Sequence, residues 1–194
     1  PSTKKNLRCW LHMHPLKLGF NPRLVAHDRR NLLKQLRDIV DTAVRLEFNV
    51  VELNLDSVMY ELGLRMFFDA DFISILDDAP TRFHLNVFRD AFNRKWPSFT
   101  DPNASDRSIA LRQFVQIVEF FEDRHPMEMY VVHPGRRMAS ETSHMDALKD
   151  SFWTIHSLFP GLPVAVQNAN GQSVLCTLDS ILEMLDSSVA IRFA

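Results

Sequence analysis

Cysteine is almost missing from this chain: Cys9 and Cys176 are the only two in 194 residues. Two thiols build no disulfide framework. The count suits a reducing compartment, although one bridge is compatible with it. No apolar run approaches the roughly 20 residues that a membrane-spanning helix takes. The opening PSTKKNLR has no apolar signal-peptide core behind it. These absences lead to the expectation of a cytoplasmic protein without a membrane partner. Positive charge is not in excess either. Lys and Arg number 22 against 24 Asp and Glu, for a net charge of −2. Nucleic acid is therefore not the favoured partner, although a local basic patch fits within that balance. A G-x-G-x-x-G loop and a P-loop are both absent, which counts against a nucleotide-binding doubly wound sheet.

What the chain does have is alternation of two periods. Residues 28–46 place Leu32, Leu33, Leu36, Ile39, Val40, Ala43 and Val44 on one helical face behind a capping Asp28. VVELNL at 50–55 reads as a strand, and 57–76, rich in Met, Phe and Leu, as helical in part. RFHLNVF at 82–88 is a strand, and Ser105 opens a helix to about Asp123. MEMYVVHPG at 127–135 is a strand stopped by Pro134-Gly135. A helix over 141–158, a strand in PVAVQNANG, a helix over 177–186 and a strand in VAIRFA complete the series. LRCWLHMH at 7–14 reads as its first strand. Apolar strands separated by helices predict an α/β fold in a single domain over 1–194, with a parallel sheet covered on both faces or closed as a TIM-type barrel.

Polar residues gather at the strand ends, where parallel α/β folds carry their chemistry. His12 and His14 end the first strand, and Glu52 and Asn54 lie on the second. His84 and Asn86 lie on the third, His133 ends the fourth, and Gln167 and Asn168 end the fifth. Alternation points each same-strand pair to one side. Imidazole and carboxylate are the usual ligands of divalent metals, so a metal site is the sharp reading. The plain alternative is a set of buried, hydrogen-bonded histidines. Arg136 and Arg137 follow the His-Pro-Gly turn and would suit a phosphate, or are ordinary exposed loop arginines. His27, His125, His144 and His156 read as structural or solvated.

VVHPG resembles the His-Pro-Gly strand of the endonuclease IV and xylose-isomerase-like TIM barrels. LEFNVVELNL, RFHLNVF and VAVQNANG resemble that superfamily's second, third and fifth strands, in the same order. The resemblance implies a divalent ion (zinc, manganese or magnesium) at the mouth of a barrel. Members cleave DNA at abasic sites or isomerise and epimerise sugars. Carried over, His84 and His133 are metal ligands, and Glu52, His12 and His14 are further ligands or acid–base groups. Asn86, Arg136, Arg137, Gln167 and Asn168 would meet the substrate. A sugar or sugar phosphate is preferred to DNA on the charge balance. PHP-type and amidohydrolase-type barrels, which also open on H-x-H, resemble the chain less.

Two departures stand beside the resemblance. Gln167 occupies the place of a metal-binding glutamate, and an amide carbonyl is a poorer ligand for a hard cation. Eightfold barrels take about 250 residues, whereas six units fill the 194 here. The expectation is therefore a fragment or a shortened barrel, its open edge covered by a second copy or another chain. A non-catalytic barrel that binds a ligand or a protein is a further reading.

Overall fold

The computed structural model describes residues 19–20, 22, 24, 28–54, 69–87, 98–133, 141–167, 178–186 and 192–193. Among the described residues, strands β1 (Gly19–Phe20), β2 (Val50–Asn54), β3 (Arg82–Val87), β4 (Met129–Val132), β5 (Val164–Val166) and β6 (Arg192–Phe193) alternate with five helices. These are α1 (Arg29–Arg45), α2 (Ala70–Asp77), α3 (Ala104–Arg124), α4 (Glu141–Leu158) and α5 (Leu178–Leu185). The strands form one six-stranded sheet in the order β1-β2-β3-β4-β5-β6, and every neighbouring pair is parallel. The expected α/β class with a parallel sheet is what the chain adopts. Among the described pairings none joins β6 to β1.

Local signals explain most boundaries. The Asp28 carboxylate accepts from the Asn31 N–H at the start of α1. At its far end Glu47 is left-handed (φ 57°) and the Phe48 N–H reaches the Ala43 carbonyl, closing the helix. Asp69 caps α2 and Asn103 caps α3. The helix expected from Ser105 thus begins one residue earlier. Within the Met/Phe/Leu-rich segment, α2 starts at Ala70; residues 57–68 lie outside the described ones, as does the strand expected at 7–14.

One face of the sheet makes the core. Val51, Leu53, Phe83, Leu85, Val87, Tyr130, Val132, Val164 and Val166 are buried in one cluster with apolar side chains of the helices. Aromatic edges tie the layers together. Phe114 of α3 meets Tyr130 at 5.9 Å and Phe99 at 5.7 Å between ring centres. Buried Phe side chains remove on the order of 2–3 kcal/mol each of exposed apolar surface. The Tyr130 hydroxyl donates to Glu122, and burial, with that bond, pushes its pKa far above the ordinary phenol range.

The apolar stripes are not buried to their ends. Leu158, at the last turn of α4, is exposed, and so is Leu182 of α5, where Met184 points inward instead. The short α5 leans on α4 by its polar edge, through Lys149 and Glu183 at 2.8 Å. That pairing goes with Leu182 on the open side.

Candidate functional site

Alternation puts the residues of the other parity on the opposite face of the sheet. There the register aligns Glu52 with His84 and Met129, and Asn54 with Asn86, Val131 and Ala165. His133 and Gln167 follow two residues beyond Val131 and Ala165, at the C-terminal ends of β4 and β5. The Gln167 N–H still bonds to the Val132 carbonyl at 2.9 Å, so the ladder holds it beside β4. Five of the residues expected at the site, Glu52, His84, Asn86, His133 and Gln167, thus share one face. His12, His14, Arg136, Arg137 and Asn168 lie outside the described residues.

Two polar groups form on this face, at different heights. The upper one joins β2 to β3: Asn86 Nδ2 donates to Glu52 Oε1 at 2.8 Å. The bond climbs one register step, because Glu52 stands opposite His84. Asn86 is fully buried and Asn54 nearly so. The lower group sits where β4 begins. Glu128 accepts from Arg82 at 2.6 Å and faces His84 Nε2 at 3.5 Å. Sequence reasoning did not find Glu128, because its position before β4 carries no motif; its partners lie more than forty residues upstream.

Burial leaves two carbonyl oxygens of this face unmatched. Asn86 Oδ1 and Gln167 Oε1 are shielded and accept no hydrogen bond. A buried acceptor left unpaired costs about 1–3 kcal/mol. Native proteins keep few of these, and sites of binding are one place where they occur.

The residues were also tested against the divalent ion that the resemblance implies. A bound zinc takes at least three protein ligands, each at about 2.0–2.3 Å. Among the described residues no three His, Cys, Asp or Glu side chains come together as such a group. His84 is level with Met129, so His133 lies four residues further along, about 13 Å at strand rise. His84 turns to Glu128 rather than toward His133. The described donor set does not by itself hold an ion.

The remaining histidines have other partners. His144 is buried with Nδ1 donating to the Thr100 carbonyl at 2.7 Å, and His125 faces Asp77. His156 is exposed, and His27 lies outside the described residues. A groove between α2 and α3, lined by Asp69, Ile73, Asp77, Phe120 and Arg124 among others, is on the helical side and shares no residue with the polar face. Among the described residues no helix is long and apolar enough to cross a membrane.

Comparison with known proteins places the fold. No family model matches the sequence, and no curated protein matches it. The chain is similar to several solved structures. SacUVDE has a TM-score of 0.56 at 8% identity, over 92% of this chain and 68% of that one. Bacteroides uniformis β-glucuronidase 3 has a TM-score of 0.55 at 10% identity, over 92% of this chain. Dihydrodipicolinate synthase has 0.53 at 6%, over 88% of this chain. The chain spans only 24% and 52% of the last two. At these identities the likeness is one of fold: an α/β chain whose structural neighbours are TIM-barrel enzymes.

Proposed function

We propose that this chain is a xylose-isomerase-like, TIM-type barrel protein that binds a sugar or sugar phosphate at the C-terminal end of its sheet and isomerises or epimerises it. The observation that carries the reading is the segregation of the sheet. One face is apolar but for the Tyr130 hydroxyl, while the other gathers Glu52, Asn54, Asn86, His133 and Gln167 toward the ends of four neighbouring strands. That is the end at which TIM-type folds place their chemistry.

Glu52 is the residue placed to move a proton. Its carboxylate is oriented by the Asn86 amide, and a positioned carboxylate is a common general base. It takes the proton from the carbon beside the sugar carbonyl, and the electron pair of that C–H bond passes through the new C=C to the carbonyl oxygen. Delivery of a proton to the same carbon from the opposite face, by water or a second acid, re-forms the carbonyl and epimerises the sugar; delivery to the former carbonyl carbon, with the neighbouring hydroxyl proton passing to the oxygen that received the electron pair, isomerises it. Asn86 holds the base, and His133 and Gln167 line the same end. Because the described donors do not assemble an ion site, no step here runs through a metal.

The test is deuterium exchange. Five- and six-carbon aldoses, ketoses and their phosphates are incubated with the protein in D2O and followed by proton NMR. Exchange at the carbon next to the carbonyl is expected, with loss of about 100-fold or more in Glu52→Gln. Binding without exchange would leave a ligand-binding barrel and remove the catalytic part of the proposal. Neither binding nor exchange, with or without added Zn, Mn or Mg, would remove all of it.

A further inference from the structure

We infer that the rim made by Glu52, Asn86 and Gln167 selects an uncharged, hydroxyl-rich ligand, a free sugar or polyol, over its phosphate ester. The inference rests on the proposed sugar site and narrows its chemistry. It starts from the two unmatched oxygens. Asn86 uses its Nδ2–H group on Glu52, which leaves Oδ1 buried and accepting from nothing. Its amide cannot be turned over, since Oδ1 would then oppose the Glu52 carboxylate. Gln167 Oε1 is buried in the same condition. The rim therefore presents carbonyl and carboxylate acceptors, and the group that completes it has to donate.

Hydroxyls donate, whereas an ionised phosphate ester carries mainly acceptors and negative charge. Glu52 adds a carboxylate to the rim's carbonyl acceptors, and from its level upward the cation in register on this face among the described strands is Arg192, at the far strand β6. Arg82, one step below, is engaged by Glu128. Gln167 lies two residues beyond the level of Asn86 and two strands across, about 12 Å between Cα atoms at ordinary strand rise and spacing.

Arg192 stands opposite Ala165 in the register, and it makes the inference easy to break. Calorimetric titration of the whole chain with D-xylose, D-ribose and D-fructose, each beside its terminal phosphate ester at equal ionic strength, reads the preference directly. The free sugar is expected to bind at least ~5-fold tighter than the ester. Gln167→Glu is expected to widen that ratio, and Arg192→Gln to leave it unchanged. Tighter binding of the esters, lost in Arg192→Gln, would overturn the inference and leave the sugar site standing. Absence of binding by every sugar and ester would overturn both.

Discussion

Along β3, Phe83, Leu85 and Val87 turn toward the helices and vanish into the main core, while Arg82, His84 and Asn86 turn the other way. The three apolar side chains are interchangeable in kind: each gains by leaving water. The three polar ones are not. Arg82 and His84 share Glu128, and Asn86 serves Glu52. Neighbours in sequence, less than 4 Å apart along the chain, thus answer to different selective demands. The helical side is built mainly for stability, with one unmatched amide oxygen at Gln113 of α3, while the opposite side keeps two, at Asn86 and Gln167.

The contrast can be broken most heavily on the apolar side. Phe83→Ala should cost about 3–5 kcal/mol in urea unfolding, the range for a large buried side chain removed from a packed core. His84→Ala, one residue on, should stay within about 1 kcal/mol, because Arg82 still holds Glu128. Equal losses at the two positions would mean that the faces do not differ as described.

Gln167→Leu sharpens the comparison. It removes a buried carbonyl that accepts nothing, so stability should hold or rise by up to about 1 kcal/mol. Sugar binding should fall in the same variant. A protein that loses both would show that Gln167 is held by its surroundings rather than kept for a ligand.

The smallest effect lies outside both faces, where Arg29 bridges Asp69 and Asp71 across α1 and α2. The hydrogen bond from Arg29 holds the Asp69 carboxyl below its ordinary range, with its helix-capping bonds adding to this. A depressed folded-state value means a contribution fully present above about pH 4 and lost as the pH falls through the lower value. Asp69→Asn keeps a capping side chain and should flatten the acid limb of a stability–pH curve while changing little at pH 7. An unchanged acid limb would rule out the pair as its source.

Periodicity carried most of the architecture. The helix read over 141–158 is α4 to the residue, and the strands read at 50–55 and 82–88 are β2 and β3 throughout their described residues. Period and parity are local, so one sequence displays them. They also put Glu52, His84, Asn86, His133 and Gln167 on a common face. What the sequence could not display was height. Whether His84 looks up toward His133 or sideways to Glu128 depends on the register between strands and on a residue more than forty positions away. The motif resemblance treats His84 and His133 as partners because they occupy matching places in a pattern. The pattern holds no information about the four-residue step between them. The lone Gln167, by contrast, was legible as unusual from its strand-end position, and its unmatched oxygen is the structural counterpart of that oddity.

Every strand of this sheet lies beside the strand before it and the strand after it in the chain. No described strand has to be threaded between two that are already joined. During synthesis, each completed strand and helix can dock on an edge laid down earlier, and the growing edge waits only for the next few dozen residues. Assembly of the described strands can therefore run from the N-terminus at the pace of the ribosome. The exposed edge at each stage is also the surface most open to pairing with a wrong chain. The same consecutive order that makes folding directional thus fixes where misassembly would begin.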